Sequence, residues 1–174
     1  MTRTLAGLVA IGLIGQSANA ETPISVEEGA QLEAEAEAQE KRVRAYHNAQ
    51  QAYLSGLQAV DGWYSIEGGL RWRYVDYVGR GEQPTRADTV TVHYEGMFID
   101  GEVFDSSFAR GRPATFPLSG LIPAWELAIP EMRVGETIEL AAPASLAYGP
   151  EGRGPIPGGA TLVFKVQLIG IEGR

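Results

Sequence analysis

"DTVTVHYEGMFIDGEVFDSSF", Asp88 to Phe108, is the stretch whose reading decides the fold. Its first half is rich in β-branched and aromatic residues, the composition of a strand. Asp100-Gly101 supplies hairpin-turn chemistry, so a second strand is expected to run back through Val103 and Phe104. Within the first strand, Val92 and Tyr94 should face opposite to His93 across the pleat. The same stretch poses a chemical question, because Ser106, Ser107, Asp105 and His93 are the residue types of a serine hydrolase. A serine nucleophile needs a base in reach, an orienting acid and an oxyanion hole. No G-x-S-x-G elbow surrounds either serine. A lone strand histidine is more often structural than catalytic, and the two serines fit backbone hydrogen bonding in a turn.

The pattern on either side is also strand-rich. Upstream, "LRWRYVDYV" (Leu70 to Val78) places Leu70, Trp72, Tyr74, Asp76 and Val78 on one face, with Arg71, Arg73, Val75 and Tyr77 on the other. Downstream come a short helix-like segment "GLIPAWELAIPEM" and a strand "GETIELAAP". A glycine- and proline-dense loop "AYGPEGRGPIPGGA" and a long final strand "TLVFKVQLIGI" follow. Several antiparallel strands with one short helix make an α+β domain, expected over residues 63–174.

Residues 21–62 differ. "SVEE" (Ser25 to Glu28) is a capping box, and the residues after it are strong helix formers. At a 3.5 spacing Leu32, Ala36, Gln39, Val43, Tyr46, Gln50, Tyr53, Leu57 and Val60 form one stripe, thin in its first half and apolar in its second. Such a stripe either packs on the domain or pairs with another copy as a homodimer seam. Asp61-Gly62 is the expected stop. Before this helix, residues 1–20 read as a secretory signal peptide: Arg3, an apolar run from Leu5 to Ile14, and Ala18-Asn19-Ala20 as the cleavage site. The run is too short for a membrane span, which needs roughly 20 such residues.

The chain has no cysteine and two histidines, His47 and His93, so disulfides, thiol chemistry and Cys/His zinc sites are excluded. No carboxylate and histidine cluster has metal-ligand spacing, and neither metal nor cofactor is expected. The formal charge is −8, one unit more negative without Arg3, which makes nucleic acid a poor partner.

Four segments together, "TVTVHYEGMFIDGEVFDSSFARGRPATFPL", "GLIPAWELAIPEMRVGE", "ASLAYGP" and "GGATLVFKVQLIGIE", resemble the FKBP family of peptidyl-prolyl cis-trans isomerases, nearest its exported bacterial Mip-like subgroup. The resemblance runs from about Thr89 to Glu172. It implies a twisted antiparallel sheet curled around one short helix, with an apolar pocket between them; the N-terminal helix read above precedes this domain. The family's substrate-binding positions fall on Tyr94, Phe104, Phe116, Leu121, Ile122, Trp125, Ile156 and Phe164. Asp105 and Tyr148 are the polar candidates for catalysis, and Arg110 matches the basic partner of the aspartate. Asp105 either acts electrostatically on the twisting amide or only braces the pocket; Tyr148 either donates to the substrate carbonyl or packs in its loop. The implied partners are proline-containing segments of unfolded exported proteins in the periplasm, and macrolide inhibitors. The alternative is a periplasmic chaperone with weak or incidental isomerase activity.

Four departures from the pattern stand out. Ala124 stands where the subgroup commonly has glycine, and Pro130 falls late in the short helix, where it removes a backbone donor. Ala114 replaces an aromatic of many non-bacterial members, which bears on inhibitor affinity. The N-terminal segment is also much shorter than the multi-helix dimerisation module of Mip-like proteins.

Overall fold

The computed structural model describes residues 25–77 and 79–173; the expected signal peptide over 1–20 and Val78 lie outside them. The chain divides into two compact units, Met1–Gln39 and Glu40–Arg174, and the boundary falls within the first helix. That helix, α1, spans Val26–Gly56. The capping box forms at its start: Glu28 N–H donates to Ser25 Oγ at 3.2 Å, and Ser25 N–H donates to the Glu28 carboxylate at 2.9 Å. Two orphan donors of the first turn are thereby satisfied. These bonds hold Glu28 below its ordinary carboxylate pKa, the backbone bond to Ser25 being the larger cause.

The helix ends earlier than Asp61-Gly62. Gly56, a poor helix residue, closes it, and a 3₁₀ turn over Ala59–Asp61 follows. Gly62 caps that turn with φ 82°, a left-handed conformation that suits glycine. Val60, expected on the apolar stripe, is therefore off the helix and 87% exposed. Leu32 and Val43 are exposed too, whereas Tyr46 packs against the main core. Tyr53, Leu54 and Leu57 pack with Trp63, Ala141, Val163 and Met97. Within the second half of the stripe, Tyr46, Tyr53 and Leu57 thus pack on their own domain.

Among the described residues seven strands form one sheet: β1 (Tyr64–Ser65), β2 (Arg71–Asp76), β3 (Thr89–Met97), β4 (Val103–Ser106), β5 (Ala114–Pro117), β6 (Thr137–Ala142) and β7 (Leu162–Ile171). The order is β1-β2-β6-β7-β3-β4, with β5 also on β3, and every pair is antiparallel. The long last strand therefore lies at the centre, between β6 and β3. Strands β4 and β5 share one edge of β3, at Glu95–Met97 and Thr89–Val92 respectively, so residues 107–113 form an excursion between them. The Asp100-Gly101 turn forms as expected: Phe98 N–H donates to Glu102 O at 2.9 Å, and Gly101 has φ 90°.

The alternation expected along β2 breaks between Tyr74 and Asp76, where the register on β6 shifts. Pairing resumes at Asp76, opposite Thr137, and beyond it Tyr77 lies edge-on to Tyr74, with ring centroids 4.6 Å apart, instead of facing away from it.

One face of the sheet carries Val90, Val92, Tyr94, Ile138, Leu140, Leu162, Phe164, Val166 and Leu168, all buried. Against this face lies the short helix α2 (Pro123–Ala128), which buries Ala124, Trp125 and Ala128. Pro123 opens α2, where its missing N–H costs nothing. A 3₁₀ turn containing Pro130 ends it, which accounts for the helix's shortness. Among the described residues no helix is long and apolar enough to cross a membrane.

Candidate active site

An apolar cleft of about 260 Å³ opens between α2, the β4/β5 edge and the loop joining β6 to β7. Trp125 forms its floor at 4% exposure. Around the indole stand Tyr94, Phe164 and Phe116, edge-on or nearly so, at centroid distances of 5.2, 5.5 and 6.3 Å. Phe104 meets Phe164 edge-on at 5.9 Å. These are the favoured quadrupole arrangements, each worth ~0.5–1.5 kcal/mol beyond area burial, and they fix the walls. Phe104 can lie over the sheet because β3 has glycine there: a Cβ at Gly96 would come within 2.6 Å of the Phe104 ring. The Trp125 indole N–H is buried without a hydrogen-bond partner among the described residues.

Polar groups gather at the rim. Tyr94 donates its hydroxyl hydrogen to Asp105 Oδ2 at 2.5 Å. Arg110, carried in by the 107–113 excursion, pairs with Asp105 Oδ1 and donates to the Tyr94 hydroxyl at 2.9 Å. Burial pushes the Asp105 carboxyl up; the Tyr94 and Arg110 hydrogen bonds and the Arg110 charge outweigh it, so the carboxyl lies below its usual value. Burial, then the bond to Asp105, raises Tyr94 and keeps its phenol protonated at neutral pH.

A lowered native-state pKa means that Asp105 stabilises the fold above its unfolded value, ~3.9, and that this contribution disappears as pH falls through the native value. The Asp105 and Arg110 side chains are 40% and 41% exposed, so solvent screening keeps the effect small. In urea unfolding, Asp105→Asn should be less stable than wild type at pH 7, and the gap should narrow as pH drops below about 4. A gap unchanged down to pH 2.5 would contradict this assignment.

The serines of the opening stretch have other work. Ser107 is fully buried at 0% exposure. Its Oγ accepts from Tyr94 N–H at 2.7 Å and donates to Tyr94 O at 3.1 Å, with His93 Nδ1 at 2.9 Å. His93 stacks on Phe108 at 4.6 Å. Ser106 Oγ accepts from Ala109 N–H and donates to Glu95. Both serines hold the turn after β4, and neither faces the cleft. Among the described residues no group of three or more His, Asp or Glu side chains is placed to hold a metal.

Tyr94, Phe104, Asp105, Phe116, Leu121, Ile122, Trp125, Tyr148 and Phe164 all line the cleft. Ile156 does not: it is buried in the core cluster, at the tip bridge it forms with Arg153. Arg153 takes the lining position instead, its guanidinium 5.8 Å from the Tyr148 ring centroid. Sequence reasoning missed it, although a single cation inside "EGRGPIP" was the available signal. Ala114 packs half-buried against the core outside the lining, and Ala124 is buried beside Trp125.

Residues 80–169 match the family model for FKBP-type peptidyl-prolyl cis-trans isomerases. The chain belongs to this family. Among FKBP relatives, it is 49% identical over 120 residues to the FKBP-type 22 kDa peptidyl-prolyl cis-trans isomerase of Escherichia coli (strain K12), covering 68% of this chain and 58% of that one. It is 44% identical over 122 residues to the outer membrane protein MIP of Legionella longbeachae, covering 70% and 52%. The chain therefore spans little more than half the length of these relatives. Among solved FKBP-type structures, a Pseudomonas syringae peptidyl-prolyl cis-trans isomerase superposes with TM-score 0.68 at 31% identity, covering 74% of this chain and 94% of that one. FkpA from Escherichia coli gives 0.67 at 33%, covering 86% and 74%.

Proposed function

We propose that this FKBP-type chain catalyses cis–trans isomerisation of X–Pro bonds in exported polypeptides, by enclosing the prolyl amide in the aromatic cleft without covalent chemistry. Rotation about the bond faces a barrier of roughly 18–20 kcal/mol, because the amide is a partial double bond. The twisted transition state loses resonance: its carbonyl oxygen is less negative and its nitrogen more basic. Water favours the planar, more polar ground state. A water-poor aromatic wall removes that preference, and complementarity to the twisted shape lowers the barrier further. The observation that carries the reading is the Trp125 floor ringed by Tyr94, Phe104, Phe116 and Phe164, with the Asp105–Tyr94–Arg110 unit fixed at one edge.

Within this reading Tyr148 donates to the carbonyl preceding the proline, its hydroxyl being bonded to no group among the described residues. Asp105 sets the field at the edge and holds Tyr94 against Trp125. The leader-like residues 1–20 and the likeness to an outer membrane protein favour action in the periplasm on unfolded, proline-containing chains. Uncatalysed isomerisation takes tens to hundreds of seconds, slow enough to limit folding.

A refolding assay separates catalysis from chaperoning. With a client whose slow phase is a prolyl isomerisation, the full chain should shorten that phase at substoichiometric concentration. It should leave the aggregation of a client without slow proline phases unchanged. Suppressed aggregation with an unaltered proline phase would favour the chaperone instead.

A further inference from the structure

Gln50 is the buried residue of α1, at 8% exposure on an otherwise exposed or half-exposed helix. Its Oε1 accepts from the backbone N–H of Thr161 at 2.9 Å, a bond between positions 111 apart in sequence. Thr161 is buried and immediately precedes β7. Its amide is thus satisfied by the helix. One turn earlier, α1 lies against the same limb of the loop: a Cβ at Gly159 would fall 2.8 Å from His47 Nε2.

That limb is locked to the one bearing Tyr148. Gly159 N–H donates to Gly149 O at 2.9 Å. A Cβ at Gly158 would fall 1.8 Å from Pro150 O, so the limbs are in contact with no room for a side chain. At the tip, Arg153 and Ile156 exchange backbone hydrogen bonds at 2.9 and 3.0 Å. The loop is a closed hairpin whose base is pinned by α1, and Tyr148 and Arg153 enter the cleft from it.

We propose that Gln50 is a positioning residue for the cleft. By holding Thr161 it fixes the 148–161 hairpin, and through Gly159 and Gly149 it fixes the aim of the Tyr148 hydroxyl. The second half of α1 is then part of the substrate-binding apparatus and not a separable appendage. This rests on the reading of the cleft as the substrate pocket.

The test uses the full chain with Gln50→Met, similar in size and helix propensity but with no comparable acceptor, and Gln50→Glu, which retains one. In Gln50→Met the Thr161 and Gly159 amides should exchange with deuterium about tenfold faster or more, while the Val166 and Leu140 amides of the central strands keep wild-type protection. The kcat/KM for a peptide with one X–Pro bond should fall about 2- to 10-fold. Gln50→Glu should lie closer to wild type in both. In the Tyr148→Phe background, Gln50→Met should cost less than it does alone, since both act on one hydroxyl.

Losses that multiply independently would overturn the proposal. So would loosened loop amides with unchanged kcat/KM, Gln50→Glu as damaging as Gln50→Met, or loop and central-strand amides loosened equally. Peptide titration followed on the Tyr148 ring resonances gives the coupling without turnover. A wild type that binds but does not catalyse would therefore sink the enzyme reading while leaving this one to be decided by the change in affinity on Gln50→Met.

Discussion

Trp125→Ala should lower unfolding stability by ~3–5 kcal/mol, the cost of emptying a buried aromatic site. It should also abolish measurable peptide binding. The indole contacts three rings from three different strands, Tyr94 on β3, Phe116 on β5 and Phe164 on β7, so its loss removes packing from the floor and support from these three walls. Its indole N–H has no partner among the described residues, so truncation strands no protein acceptor. The destabilisation should accordingly follow lost volume and contacts. Trp125→Phe, which keeps an aromatic ring and removes that donor, should retain most of the stability and part of the binding. Urea unfolding and peptide titration of both variants check this. A Trp125→Ala protein of unchanged stability would mean that Trp125 is not the floor.

The second large effect is on catalysis. Asp105→Ala leaves the Tyr94 hydroxyl without its acceptor and Arg110 without its counter-charge. Losing one partner of a hydrogen-bonded set costs ~1–3 kcal/mol when the remaining groups are buried. Here two of the three side chains are about two-fifths exposed, which places the loss toward the lower end. A fall in kcat/KM of roughly 5- to 20-fold is expected. Asp105→Asn separates the two roles of the carboxylate. It keeps an acceptor for Tyr94 and removes the charge, so near-wild-type kcat/KM marks a brace and a loss equal to that of Asp105→Ala marks an electrostatic contribution.

The sheet was legible because the signals for it are local. β-branched alternation over Thr89–Met97 and the Asp100-Gly101 turn specify a hairpin from neighbouring residues alone, as does Ser25–Glu28 for the helix start. The helix end was not, because the apolar stripe continues in sequence to Val60 after the helix has stopped at Gly56. Periodicity does not register where tertiary packing ends an element. The β2 bulge escaped for a related reason: Val75 and Tyr77 fit the alternation, and the register shift is set by β6. In the cleft, aromatic and polar residues could be placed only through the family resemblance that several ordered motifs carry together. The exchange of Ile156 for Arg153 turns on how a glycine-rich hairpin folds at its tip. Gln50 was visible only as a polar break in an apolar stripe, because its partner is 111 residues away.

The central claim is that an aromatic cleft with a fixed polar rim, and no nucleophile, speeds rotation about X–Pro. Exchange spectroscopy on a peptide with one X–Pro bond, with full-length wild type, Asp105→Ala and Tyr148→Phe, measures this directly. The account predicts that wild type at micromolar concentration raises the exchange rate well above the uncatalysed value. Tyr148→Phe should be slower by about 2- to 10-fold, the worth of one hydrogen bond, and Asp105→Ala slower by more, with neither inactive. A folded wild type that binds the peptide and leaves its exchange rate unchanged would contradict the account.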